Sequence, residues 1–171
     1  MNGMKLKKFE IKQLEKVHSY LDSISELLIT EIQQITAKNE YGLYDTYSLS
    51  DIEYGEFNFF IPTYRIDFYP MSANHSQLGV KKILKDVPNG FMEDMKLDID
   101  IDNYNLDNGD LESLNNYHSQ LNKKIFNWFI QCWSKANERI KIIGNYRVCE
   151  QHSNITFDLE NQRWILKNET L

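Results

Sequence analysis

Apolar residues recur at intervals of three and four over residues 9–38, as they do on one face of an amphipathic helix. The stripe consists of Leu14, Val17, Leu21, Ile24, Leu28, Ile32 and Ile35. Ser19, Ser23 and Ser25 weaken its middle slightly, but no proline or glycine interrupts it. The pattern predicts one long helix with some curvature, ending near Asn39.

A second stripe with the same spacing follows Asp110, a residue suited to an N-cap, and runs to about Asn137. Within it, the stretch IFNWFIQCW (residues 125–133) has seven apolar residues in nine. A membrane-spanning helix needs about 20 consecutive apolar residues, so this run is too short to span. Because apolar residues cover most of the circumference of this helix, we expect it to lie between a sheet and the first helix.

Elsewhere in the chain, the spacing of the apolar residues no longer fits a helix and indicates β-strands. Residues 54–70 are rich in aromatic and β-branched residues and predict an antiparallel hairpin that turns at Pro62 and Thr63, with Arg65 and Asp67 on a solvated face. Strict alternation predicts a further strand over residues 97–101, and residues 145–166 predict two or three more.

Residues 77–87 return to helical spacing and predict a short helix. The expected fold class is therefore α+β, with two long helices packed on one face of an antiparallel sheet of about five strands, plus one short helix. With 171 residues and no linker or repeat, residues 1–171 are expected to form a single domain.

Charge is concentrated in one segment. Residues 93–112 hold eight acidic residues and one lysine, an excess of seven negative charges against a net charge of −6 for the whole chain. With a pI of about 5.2 and no basic stripe, the sequence argues against nucleic-acid binding. The N-terminus lacks the apolar core of a signal peptide, which favours a cytoplasmic protein without membrane contact, and the abundance of Asn, Ile and Lys is typical of AT-rich bacteria.

The alternating aspartates Asp98, Asp100 and Asp102 do not form an EF-hand loop. Counted from Asp98, the sixth position is Asn103 rather than glycine and the twelfth is Gly109 rather than glutamate. In a strand the three carboxylates would stand about 7 Å apart, too far to share one ion unaided. A solvated face, an acidic recognition surface and another kind of metal site remain the alternatives.

The sequence contains few candidate catalytic residues. Cys149 and His152 form an isolated C-x-x-H pair, which His75 or Glu150 would have to complete through the fold, either as a zinc site or around a cysteine nucleophile. Phosphate-loop, dinucleotide, hydrolase and metalloprotease motifs are absent from the sequence, so no cofactor is predicted.

These observations favour a non-catalytic cytoplasmic protein with an acidic surface that binds a basic protein partner. The sharpest version is an immunity-type inhibitor of a basic toxin or nuclease. The predicted partner-binding residues are Asp98, Asp100, Asp102, Tyr104, Asp107 and Asp110, with Tyr117 as a further exposed anchor. Two alternatives stay open: an enzyme whose Cys, His and Asp residues converge only in three dimensions, and a structural subunit that forms a homodimer.

Overall fold

The computed structural model describes residues 6–60, 65–87, 90–92, 108–150 and 153–167, and the side chains of residues 108–110 lie outside that description. Three α-helices are present in these ranges: α1, Lys8–Ser23; α2, Ser25–Lys38; and α3, Asn108–Ile140. The second predicted helix is thus confirmed, and it begins two residues before Asp110 and ends three residues after Asn137. None of the described helices is long and apolar enough to cross a membrane.

The first predicted helix is divided at Ile24, whose backbone angles, φ −105° and ψ 4°, leave the helical region. The neighbouring serines bind the carbonyls of the preceding turn. Ser23 Oγ donates to Tyr20 O at 2.6 Å and Ser25 Oγ donates to Leu21 O at 2.8 Å. Serine hydroxyls that compete for helix carbonyls bend or interrupt helices, which explains why one stripe is carried by two helices.

The sheet has six strands: β1, Tyr54–Phe60; β2, Arg65–Met71; β3, Lys81–Ile83; β4, Tyr146–Glu150; β5, Ile155–Asp158; and β6, Arg163–Leu166. Their order is β3-β2-β1-β4-β5-β6. β1 and β4 run parallel, and the other neighbours are antiparallel. The α+β class is confirmed, with six strands rather than five and a mixed rather than purely antiparallel sheet.

α3 packs on the sheet face that carries Phe57 and Phe59, which we call the helix face. Phe129 of α3 lies 5.0 Å from Phe57 and 5.3 Å from Phe59 between ring centroids. On the other side of α3, Trp128 Nε1 donates to Ser25 Oγ at 2.9 Å. The apolar run of residues 125–133 therefore lies between the sheet and the α1–α2 pair, as predicted, and most of it is buried core.

The predicted short helix over residues 77–87 is wrong. β3 occupies part of this segment and pairs antiparallel with β2, and a bridge joins Gly79 to Leu43. Leu84 then adopts a left-handed conformation at φ 57°, and its N–H donates to Glu31 Oε2 at 2.8 Å. In so short a segment, neighbouring buried residues such as Ile83 and Leu84 imitate helical spacing, so periodicity alone does not decide between helix and strand.

Candidate functional site

The sheet face opposite the helix face carries a set of polar residues, buried except for the half-buried Lys167, which we call the polar row. It consists of Glu56, Asn58, Asp67, Arg147, Cys149 and Lys167. The β1–β4 register places Arg147 beside Glu56 and Cys149 beside Asn58, and β2 places Asp67 opposite Asn58. Glu56, Asp67 and Arg147 are only 3%, 2% and 1% exposed. Charged residues are almost never buried to this extent unless they are paired.

Each buried carboxylate of the polar row has a cationic neighbour. Lys167 Nζ lies 3.6 Å from Glu56 Oε1, an oxygen that also accepts from Asn58 Nδ2 at 3.3 Å. Asp67 Oδ2 accepts from Arg65 Nε at 2.9 Å and from the hydroxyl of Tyr69 at 3.1 Å. These pairs offset the cost of removing the two negative charges from water.

The burial of Asp67 corrects one prediction. Arg65 is exposed, but Asp67 on the same face of β2 is 2% exposed, so this face is not solvated throughout. Strict alternation indicates which side chains share a face and does not show whether that face meets water.

Three acceptor atoms of the row have no donor within the described part of the chain: Glu56 Oε2, Asn58 Oδ1 and Asp67 Oδ1. Buried acceptors of this kind suit a hydrogen-bond donor such as an ordered water. Among the described residues, no group of three His, Cys, Asp or Glu side chains is placed to hold a metal ion.

Arg147 connects the polar row to a tyrosine–histidine pair. Its guanidinium carbon lies 4.2 Å from the ring centroid of Tyr54, and its Nη1 donates to the carbonyl of Lys167 at 3.4 Å. The Tyr54 hydroxyl lies 3.0 Å from Nδ1 of His75. Burial raises the pKa of Tyr54 to about 12, so the phenol remains protonated at neutral pH.

Cys149 lies on the polar row with its Sγ 3.8 Å from Lys167 Nζ. Burial, reinforced by the negative charge of Glu56, raises the pKa of this thiol to about 12. A thiol that keeps its proton is a poor nucleophile. His75 contacts Tyr54, Glu150 is exposed on the opposite face of β4, and His152 lies outside the described residues. The structure therefore does not gather the described members of the predicted catalytic set into one site.

The protein should therefore resist thiol reagents while it is folded. Cys132 and Cys149 are both free and buried, and burial raises the pKa of Cys132 to about 11. At pH 8 we expect modification by an aromatic disulfide reagent only at the rate of unfolding, and fast reaction in denaturant. Immediate reaction of one thiol in the native protein would contradict the assignment of Cys149 and Cys132 as inert core thiols.

The raised pKa of the Cys149 thiol predicts how the free energy of unfolding changes at alkaline pH. The pKa of Cys149 is raised from about 8.5 in an unfolded chain, so its contribution to stability is full below pH 8.5 and is lost as the pH rises through about 12. The free energy of unfolding of the wild type should therefore fall more steeply between pH 9 and 11 than that of Cys149→Ser. Parallel curves for the two proteins would show that this thiol is not the titrating group.

The predicted partner-binding residues Asp98, Asp100, Asp102, Tyr104 and Asp107 lie outside the described residues. Asp110 belongs to the first turn of α3, and its side chain is likewise outside the description. Glu112, the last acidic residue of the charged segment, is exposed on α3. Tyr117 is 0% exposed, so its predicted role as an exposed anchor is wrong.

An apolar groove of about 370 Å³ opens on the helix face between α3 and the β5–β6 hairpin. Phe126 and Trp164 stack along it with ring centroids 5.1 Å apart, and Ile155 lines it while remaining 45% exposed. Lys123 and Glu150 lie among its polar lining residues. The groove is a second feature that sequence reasoning did not locate.

No family model, no curated protein sequence and no solved structure matches the chain significantly, so no relative indicates a function.

Proposed function

We propose that the chain is a non-catalytic cytoplasmic protein that binds a basic protein partner through the acidic segment of residues 98–110. The observation that carries this proposal is the location of the charge. Residues 93–112 have a net charge of −7 and the whole chain −6, so the remainder of the chain is +1. Such a focused negative potential accelerates encounter with a basic surface and excludes acidic partners. An immunity-type inhibitor of a basic toxin or nuclease is the sharpest form of this function.

The spacing of charged residues along α3 supports a negative electrostatic potential that the lysines of this helix do not cancel. Lys123 follows Glu112 by eleven residues, a rise of about 16 Å along a helix. That separation is about twice the Debye length of ~8 Å at physiological ionic strength. The positive end of the helix dipole also lies at Asn108, where it stabilises neighbouring carboxylates in their charged form.

The polar row supports a non-catalytic function over the enzyme alternative. Its thiol is protonated at neutral pH, and its two carboxylates are engaged by Lys167 and by Arg65 with Tyr69. Buried, mutually paired charges of this kind serve to specify one packing arrangement in some proteins. The site thereby lacks the activated nucleophile that acyl or phosphoryl transfer through Cys149 would require.

The acidic segment can be tested with charge variants of equal net charge. We expect Asp98→Asn, Asp100→Asn and Asp102→Asn together to weaken partner binding on the order of tenfold at low salt, since charged residues at an interface mainly set the association rate. The matched control combines Asp45→Asn, Glu138→Gln and Glu160→Gln, three exposed acidic residues elsewhere on the chain. It should bind as the wild type does.

The partner for this test is obtained by capture from the source cells, followed by purification and binding measurements with the purified pair. A partner that is basic, binds the wild type and control equally and binds the triple variant more weakly supports the proposal. Equal binding of all three proteins would remove residues 98–102 from the interface. An acidic partner would exclude charge complementarity as the basis of recognition.

A further inference from the structure

A small cavity of about 180 Å³ lies at the end of the sheet where the parallel strands β1 and β4 begin. Drug-sized ligands occupy pockets of about 300–1,000 Å³, so this cavity suits one group the size of an amino-acid side chain. It has no described lining residue in common with the apolar groove. Its lining includes Asn39, Tyr41, Leu49, Glu53, Ile143 and Tyr146.

Among the described lining residues, Glu53 carries the only charge. Its backbone N–H donates to Met71 O at 2.8 Å, which anchors the residue just before β1. Its side chain is exposed, and the carboxylate has no hydrogen-bond or ion-pair partner within the described part of the chain. Lys38 and Lys141, the lysines closest in sequence to the lining residues, are not themselves among them. The cavity is therefore negative and is complementary to a cationic group.

The tyrosine hydroxyls of the cavity provide a hydrogen-bond acceptor. Tyr41 OH donates its single proton to Asn39 Oδ1 at 3.1 Å, so in the 3.1 Å contact between the two tyrosine hydroxyls Tyr146 is the donor. The Tyr146 oxygen is then left with lone pairs and no proton to offer, and burial raises the pKa of this phenol, so it stays uncharged at neutral pH. Packing against Trp133, at 5.2 Å between ring centroids, holds the Tyr146 ring in place.

Exposed apolar side chains also line the cavity. Leu49 is 50% exposed and Ile143 is 83% exposed. The long stem of a lysine lies along apolar surface of this kind while its charged end stays with polar partners. An anionic ligand would be repelled by Glu53, and a quaternary ammonium has no N–H to donate to the Tyr146 oxygen. An alkyl chain that ends in an ammonium matches the charge, the acceptor and the apolar surface together.

We propose that this cavity binds a primary alkylammonium group. The ammonium donates to the Glu53 carboxylate and to the hydroxyl oxygen of Tyr146, and the alkyl chain lies against Leu49 and Ile143. Such a group is present in a free amine and in the lysine side chain of another protein. The described lining includes none of residues 93–112, so the inference stands independently of the proposed function.

Binding can be measured by titrating the full chain with n-butylammonium chloride at constant chloride concentration, followed by NMR. We expect saturable shifts at the amides of Gly55, Gly144 and Asn145, which line the cavity, with a dissociation constant on the order of 1–10 mM for a ligand of so few heavy atoms. n-Butanol, which lacks the charge, and tetramethylammonium, which lacks the N–H donors, should each bind at least about fivefold more weakly.

Glu53→Gln should weaken the binding of n-butylammonium at least about fivefold, because it removes the negative charge and keeps the size of the side chain. Glu15→Gln is the matched control, since Glu15 is exposed on α1 and does not line the cavity, and it should bind as the wild type does. Leu49→Ser should remove most of the advantage of n-butylammonium over methylammonium, because the longer chain then loses an apolar contact. All three replaced residues are exposed, so the variants should fold normally.

A second titration distinguishes a free amine from a protein lysine as the natural ligand, with the peptide acetyl-Gly-Ser-Lys-Ser-Gly-amide as the probe. Tighter binding of this peptide than of n-butylammonium supports a lysine of a partner protein, and the reverse order supports a free amine. Acetylation of the lysine should abolish any shifts that the peptide causes in the cavity. Shifts that do not saturate, or binding of n-butylammonium that is equal in Glu53→Gln and the wild type, would overturn the proposal.

Discussion

Replacing Phe57 by alanine is expected to lower the free energy of unfolding by about 3–5 kcal/mol, the range for large-to-small changes of a buried aromatic side chain. Phe57 is 0% exposed at the centre of β1, and its ring centroid lies 4.9 Å from that of Phe68, 5.0 Å from Phe129 and 5.9 Å from Trp133. The alanine variant would leave a cavity where the sheet meets α3. Urea denaturation followed by far-ultraviolet circular dichroism measures the loss.

Tyr47→Ala provides the control for that substitution, because Tyr47 is a 42% exposed aromatic residue in a loop. Its removal should change the free energy of unfolding by no more than about 0.5 kcal/mol. A loss below about 1 kcal/mol for Phe57→Ala would mean that the sheet and α3 do not share the tightly packed core described above.

Arg147→Ala is expected to cost about 3–5 kcal/mol, because it removes one charge from a buried, compensated set. Arg147 is 1% exposed, pairs in the ladder with Glu56 and covers the ring of Tyr54. Without the guanidinium, Glu56 would stay buried with less compensating charge. The same urea titration measures the effect, and native stabilities of 5–15 kcal/mol leave enough range to observe it.

Arg139→Ala is the matched control for Arg147→Ala. Arg139 forms a two-bond contact with Glu26, at 2.8 and 3.0 Å, but both side chains are largely exposed. Water screens an exposed ion pair of this kind, so Arg139→Ala should lower the free energy of unfolding far less than Arg147→Ala does. Equal losses for the two arginine variants would show that the charges of the polar row are solvated rather than buried.

Local periodicity predicted the helices because their stripes are built by nearby residues. The stripe through Leu14, Leu21 and Leu28 is buried as expected, and only the interruption at Ile24 was missed, although Ser23 and Ser25 were its visible signal. The β1–β4 pairing could not be predicted from local periodicity. It joins Gly55 to Tyr146 in parallel across more than half of the chain, and no local pattern encodes the choice of a distant neighbour.

The polar row was missed because its members come from separate strands. Each strand shows only one or two polar residues among apolar ones, such as Glu56 and Asn58 in YGEFNFF, which by itself resembles a solvated face. The row forms only when the register brings Arg147 and Cys149 beside them. Cys149 was singled out from the sequence, but its burial and its position beside Glu56, which together determine its pKa, depend on the fold.

The two faces of the sheet carry different kinds of side chain. Aromatic contacts fill the helix face, while compensated charges lie buried on the other face, with Arg147 and Tyr54 at one end of the set. Neither arrangement presents an activated nucleophile among the described residues. The proposed binding function therefore depends on the acidic segment.

The most direct test of the acidic segment is the ionic-strength dependence of the association rate between this protein and its captured partner, measured by stopped flow. We expect at least a tenfold decrease between about 20 mM and about 500 mM salt, with a much shallower dependence for the Asp98, Asp100 and Asp102 triple variant. A rate that is independent of salt in the wild type, or equally dependent in both proteins, would contradict the claim that these carboxylates guide the partner.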